Sequence, residues 1–370
     1  MALAKRTKSK AKHQSKSKSN SKALTKKSSK PSLGMKSALA TSSTGEKVRG
    51  IVGILAPSSP APIIELERGA NRLIAEGFEV FCHPQVMKVE NFYAGADSER
   101  SLAFLDYAFD PELTAIWAAR GGYGAIRLLP LLDEITEQVG NPEPKLLVGF
   151  SDATILLEYV RTRWGWRTLH GTMPATAHIE GVQGKDWKNF AAQMAGESFG
   201  FKFDLKPIYR PEHFGAKSDA KVVGEVIGGN LAMITSVLGT PYAFDLDGKI
   251  LFLEDIGEAP YRIDRMLQQL LLSNALNGVR AIVLGTFTDC HDAAPFVYAE
   301  HPKRGVTAAM KRLRPTLSDR DALEVVFSDL GETLGIPVFY GLPIGHGKSP
   351  GSIELGIHAE LNAQGHLRSV

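Results

Sequence analysis

From residue 48 onward, short apolar runs alternate with stretches of helical periodicity, and few folds satisfy that alternation. The runs at 48–56 (VRGIVGILA), 78–82, 115–119 (AIWAA) and 145–150 read as buried strands. They are followed by stretches at 63–76, 98–108, 125–132 and from Ser151 onward that read as helices, the first with clear helical spacing of its apolar residues. This order predicts an α/β fold whose parallel sheet carries helices on both faces. The second half continues with a strand at 221–227, a Gly228-Gly229-Asn230 turn and a helix ending near Gly239. Strands at 250–254 and 279–285 flank a helix at 261–273, and short strands are expected at 325–330, 337–340 and 352–357.

A length of 370 residues suggests two domains, each able to bury its own core. The boundaries read as 48–178 for the first, 221–370 for the second and 179–220 for the connection, where Pro207, Pro211 and several glycines interrupt the pattern. Charge is spread unevenly. Residues 1–45 hold twelve of the 43 basic residues and none of the 40 acidic ones, so the remainder is net −9 although the whole chain is +3. A Lys/Ser/Thr/Ala-rich stretch with almost no branched or aromatic residues cannot offset the entropy of ordering, so 1–47 is expected to be a disordered basic tail. It has no apolar core for a secretory signal, and it is rich in Lys where transit peptides favour Arg. Contact with nucleic acid or another anionic surface is physically open to it, but a solvated tail is favoured.

Cys82 and Cys290 are too few for a disulfide framework or a four-thiolate zinc site. His291 and His301 lie near Asp289, Cys290 and Asp292 without a standard zinc spacing, so no metal is expected. No apolar run reaches the roughly 18 residues of a membrane span.

Four places carry candidate chemistry. LLVGFSD (146–152) runs from a strand straight into a helix. A serine on such a turn is exposed, and the free N–H groups of the helix start can stabilise an oxyanion. The pattern is not Gly-x-Ser-x-Gly, and on this motif alone the favoured reading of Ser151 is an ordinary N-cap. RGGYG (120–124) is a glycine turn whose amides can approach an anion, without the spacing of a nucleotide loop. Glu254 and Asp255 close an apolar strand, where a carboxylate can orient an imidazole or cap the next helix. His346 sits in the tight loop LPIGHG, an isolated histidine until a partner is found.

Together with LHGTM (169–173), GGNL (228–231), LFLEDIGEAPYRIDRML (251–267) and GLPIGHG (341–347), RGGYG and GFSD resemble the LD-carboxypeptidase family. That family of serine peptidases includes muramoyltetrapeptide carboxypeptidase and the microcin-immunity peptidases. The six blocks run in order from Val48 to the C-terminus. The resemblance implies an α/β N-terminal domain like that of class I glutamine amidotransferases and a smaller, swivelling β-rich C-terminal domain. It also implies a triad of Ser151 as nucleophile, Glu254 as orienting acid and His346 as base. The oxyanion donors would be the N–H of Asp152 and one from Gly121-Gly122. Arg120 would bind a substrate carboxylate or brace the loop, and Glu258, four residues past Glu254, is a competing acid.

The implied reaction is release of terminal D-alanine from murein tetrapeptide during cell-wall recycling, by a cytoplasmic homodimer that needs no cofactor and takes a small peptide substrate. The alternatives are a microcin-immunity-type peptidase cutting an aminoacyl-nucleotide amide and a non-catalytic binding protein tethered by its basic tail. An aromatic ring near the site would favour the first, and Trp164, Trp166 and Trp187 are candidates. The stretch 293–329 is long and charged, and reads as an insertion forming a lid or a dimer contact.

Overall fold

The apolar runs become the inner strands of two sheets in a computed structural model, which describes residues 37–38, 48–197, 200–217, 219–292, 319–348 and 350–370. The first half holds β1 (Ser37–Ala38), β2 (Ile51–Leu55), β3 (Glu79–Cys82), β4 (Ala115–Ala118), β5 (Leu146–Gly149) and β6 (Arg167–His170). Its helices are α1 (Ile63–Ile74), α2 (Asp97–Ala108), α3 (Leu129–Val139), α4 (Thr154–Trp164) and α5 (Gly184–Met194). The remaining strands are β7 (Lys202–Asp204), β8 (Lys206–Tyr209), β9 (Lys221–Asn230), β10 (Ile250–Ile256), β11 (Ala281–Thr288), β12 (Val338–Tyr340), β13 (Ile353–Leu355), β14 (His358–Asn362) and β15 (His366–Ser369). Among them run α6 (Leu231–Ser236), α7 (Pro260–Leu272) and α8 (Asp319–Leu334).

Among the described residues the first sheet has the order β1-β3-β2-β4-β5-β6-β13. Its five inner strands are parallel, and β1 and β13 close the edges antiparallel. Every residue of β4 and β5 is buried, as expected of strands covered on both faces. Helix α1 shows how the cover is made: Leu66, Gly69, Ala70 and Leu73 form one buried stripe. The second sheet has the order β7-β15-β14-β9-β10-β11-β12-β8, with β9 to β12 parallel and the outer strands antiparallel.

Helix α4 joins the two halves. It packs on β5 and β6 on one side and on α6 and β9 on the other, so residues 154–160 are all buried and it lacks a solvent face over its first two turns. At the contact, a side chain on Gly229 would strike Thr154 at 2.7 Å, and the Asn230 amide donates to Thr154 Oγ1 at 3.2 Å.

Three sequence expectations need comment. The strand expected at 325–330 is helical, part of α8. VVFSDL alone does not separate strand from helix, but Leu323, Phe327, Leu330 and Leu334 recur at helical spacing, with Phe327 and Leu330 buried and Val325 exposed. The stretch 179–220, read as a connection, contains α5 and the edge strands β7 and β8. Near the C-terminus β13 returns to the first sheet, so residues 221–370 do not stay with the second. The basic tail lies outside the described residues except for Ser37–Ala38, which pair with Phe81 and Cys82. Residues 293–318 of the expected insertion also lie outside them.

Candidate active site

Parallel strands end at one edge of their sheet, and ligands meet such sheets outside the strands' carboxyl ends. Ser151 stands there, two residues past β5, with φ of 60°. A non-glycine residue in that region costs about 1–3 kcal/mol and holds only where its surroundings enforce it. Here the next residue supplies part of the restraint. The buried Asp152 accepts from the Ala125 amide through Oδ2 at 2.8 Å, tying the serine turn to the 120–124 turn. Burial pushes the Asp152 carboxyl above its ordinary value.

The glycines of RGGYG are required by proximity. A side chain on Gly121 would lie 2.9 Å from Ser151 Oγ and 3.3 Å from the Asp152 nitrogen, so the backbone of this turn lies directly against the serine. One on Gly122, at φ of 106°, would strike Ser59 Oγ. The loop after β2 is stitched to the same turn: the Ser59 amide donates to Gly121 O at 3.2 Å, and Ser59 Oγ accepts from the Tyr123 amide at 3.2 Å. Arg120 donates to Pro60 O at 3.2 Å, a contact between the two loops. Behind them the fully buried Arg100 binds the carbonyls of Gly95, Pro57 and Gly124 and pairs with Asp97.

Glu254 is fully buried near the C-terminal end of β10, at a register shift where Leu253 pairs with Leu284 but Asp255 pairs with Phe287. Such irregularities re-aim side chains at sheet rims. Its Oε2 lies 2.6 Å from Nδ1 of His346, itself 7% exposed. The histidine turn follows β12 and is held by Thr286, whose amide donates to Ile344 O at 2.9 Å. Gly345, at φ of 112°, leaves room that a side chain would take from Glu254 Oε2 and Thr286 Oγ1, each at 2.7 Å. Burial works to raise the Glu254 carboxyl, but the imidazoles of His170 and His346 outweigh it and hold the group at about 2. It is therefore a carboxylate at neutral pH. Beside it, burial lifts Asp255 to about 6 despite amide donors from Ile256 and Ala232.

The two half-sites meet through Phe150, whose ring lies 4.7 Å from that of His346, while the next residue is Ser151. The structure thus brings Ser151, Gly121, Gly122 and Asp152 together on one side and Glu254 with His346 on the other. Glu258 is elsewhere, ion-paired to Arg262 at 3.6 Å. Sequence reading gave no role to His170, which closes β6 and is 1% exposed. Its Nε2 lies 3.8 Å from Glu254 Oε1, and its ring packs against Phe150 and Phe252 at 5.8 and 5.0 Å. LHGTM holds only a partial signal: a histidine closes a short strand there, much as Glu254 closes the apolar run 250–254, with nothing in the sequence to pair the two. Trp164, Trp166 and Trp187 are all buried. Trp166 donates to Pro142 O and Trp187 to Glu76, so these rings serve the core. The exposed rings beside the 120–124 turn are Phe92 and Tyr123, 5.8 Å apart.

Among the described residues no group of three or more His, Cys, Asp or Glu is placed to hold a metal ion, and no helix is long and apolar enough to cross a membrane.

An α/β framework with a strained serine at a strand end and a buried carboxylate–imidazole pair across from it defines a serine-type hydrolase. Comparison with known proteins narrows the class to one family. Residues 52–171 match the LD-carboxypeptidase N-terminal domain and residues 223–361 the LD-carboxypeptidase C-terminal domain. The chain belongs to the LD-carboxypeptidase family. It is 34% identical to a putative carboxypeptidase (SCO6489) of Streptomyces coelicolor, over 84% of this chain and 90% of that protein. It is 31% identical to the murein tetrapeptide carboxypeptidase of Pseudomonas aeruginosa, over 85% and 93%. The crystal structure of muramoyltetrapeptide carboxypeptidase from Oxalobacter formigenes superposes with a TM-score of 0.67 at 31% identity, covering 86% of this chain and 97% of that one.

Proposed function

We propose that the protein is a cytoplasmic serine carboxypeptidase that hydrolyses the L,D peptide bond of murein tetrapeptide and releases the terminal D-alanine. The observation that carries the mechanism is the 2.6 Å contact between Glu254 Oε2 and His346 Nδ1, buried beside the Phe150-Ser151 turn. A serine hydroxyl is a weak nucleophile at neutral pH and needs a base for its proton. With Nδ1 engaged by Glu254, the imidazole directs Nε2 to that task, and the carboxylate stabilises the imidazolium that forms.

Ser151 Oγ attacks the scissile carbonyl as His346 takes its proton. The oxyanion is met by the Asp152 N–H and by a donor from Gly121-Gly122. Collapse breaks the C–N bond, and His346 returns the proton to the leaving D-alanine amine. The remaining acyl group stays on Ser151 until a water, deprotonated by the same imidazole, attacks it and regenerates the serine.

Incubation with disaccharide tetrapeptide, read by mass spectrometry, tests the substrate. Loss of one alanine residue is expected. An intact tetrapeptide with cleavage of an aminoacyl-nucleotide amide under the same conditions would replace this reading with that of an immunity-type peptidase.

A further inference from the structure

The carboxylate of Glu254 has two oxygens, and the mechanism above uses one. Oε2 is bound to His346, whereas Oε1 is buried with no donor within hydrogen-bond distance. A buried carboxylate oxygen without a donor costs about 1–3 kcal/mol or more, so a fully buried glutamate in that state calls for a nearby donor. The titratable groups around this carboxylate are His346 from the turn after β12, His170 from β6 and Asp255 beside it on β10. Asp255 is committed elsewhere, accepting from Asn230, Ala232 and Ile256.

His170 presents the complementary deficit. Both its ring nitrogens are buried with no partner within hydrogen-bond distance, and Nε2 stands 3.8 Å from Oε1. The imidazole is confined between the rings of Phe150 and Phe252, and β6 is pinned by β5 and β13 on its two sides. A core histidine that only filled space would leave both its ring nitrogens unsatisfied, with Nε2 3.8 Å from an equally unsatisfied carboxylate oxygen. Closing the gap by under 1 Å satisfies the nearer pair at once.

We propose that His170 is a positioning residue for the hydrolysis: its Nε2–H is the second donor to Glu254, so the carboxylate is clamped between two imidazoles. One arm of the clamp is the base His346. The other, His170, belongs to the sheet that carries Ser151, so it registers the acid of the second sheet against the nucleophile of the first. The inference rests on the triad reading for its catalytic consequence, though the clamp is a property of the resting protein.

The sign of its effect follows from charge. With the His170 donor removed, the negative charge on Glu254 is less neutralised and holds the His346 imidazolium more tightly. The acid limb of kcat/KM should then move to higher pH.

Nitrogen-15 NMR of histidine-labelled full-length protein tests this without any substrate, the His170 signals being those lost in His170→Phe. A wild-type His170 protonated at Nε2 is expected; a neutral ring protonated only at Nδ1 would overturn the clamp. In His170→Phe the acid limb of kcat/KM should move up by about one pH unit, while His170→Gln, which keeps an N–H near the Nε2 position, should stay close to wild type. A uniform fall in kcat/KM at every pH in folded His170→Phe, with no displacement of the acid limb, would reduce His170 to core packing. If no murein tetrapeptide is cleaved, the substrate reading fails, and the NMR result still decides the clamp.

Discussion

At the scale of single residues, conformations that a chain would not adopt by itself mark the site. Ser151 at φ of 60° is a left-handed serine, and that strain has a measurable signature. Ser151→Gly and Ser151→Ala both remove the hydroxyl, but only glycine relaxes the backbone. The glycine variant should unfold at a free energy about 1 kcal/mol above the alanine variant in urea titrations, where an unstrained serine would give the reverse order. Gly345 is the counterpart on the histidine side. Gly345→Ala places a methyl group 2.7 Å from Glu254 Oε2, so kcat/KM should fall by roughly 10²-fold or more through displacement of the 2.6 Å contact. Activity near the wild-type level would show that the turn has slack. Ser151, Glu254 and His346 were legible in the sequence because each stands in a distinctive block. His170 was not, because its meaning depends on a carboxylate 84 residues away that only the packing of two sheets brings near.

Elements were legible where burial wrote them into composition. Strands β4 and β5 read as apolar runs because both faces are covered, and α1 read as a helix because one stripe is buried, whereas the inner strand β6 (RTLH) carries too short an apolar run to stand out. Elements that failed to register lack that imprint. Strands β7 and β8 lie at sheet edges with exposed lysines, and β14 and β15 alternate too briefly to stand out. The α8 sequence shows an apolar run whose period emerges only over four turns. Gly228 and Gly229 also change meaning at this scale. Read as a turn, they are the last part of β9, with φ of 146° and 144°, where a side chain on Gly228 would lie 1.8 Å from Phe252 O. Gly228→Ala should therefore cost about 3 kcal/mol or more of stability, visible as a lower urea midpoint; an unchanged midpoint would mean that β9 and β10 can separate locally.

For the whole molecule, two sheets must stay in register so that a fully buried charge remains satisfied. Glu254 titrates at about 2 when folded, against an ordinary 4.5. A folded-state value below the unfolded one means stabilisation that is complete above pH 4.5 and lost as pH falls toward 2. The stability gap between wild type and Glu254→Gln should be constant at neutral pH and close across that window. A gap independent of pH would mean that the carboxylate is not held ionised by its imidazoles. Asp255 acts oppositely: its folded value of about 6 exceeds the ordinary 3.8, so its contribution weakens as pH rises through that interval. The alternation of strands and helices foretold the class of fold, but not that β13 would cross back to the first sheet, since that pairing spans 183 residues from His170 to Ile353. The most direct test of the central claim is kcat/KM on disaccharide tetrapeptide for wild type and Ser151→Ala, both verified as folded. The account predicts a loss of about 10³-fold or more on removing the hydroxyl; a variant within tenfold of wild type would contradict it.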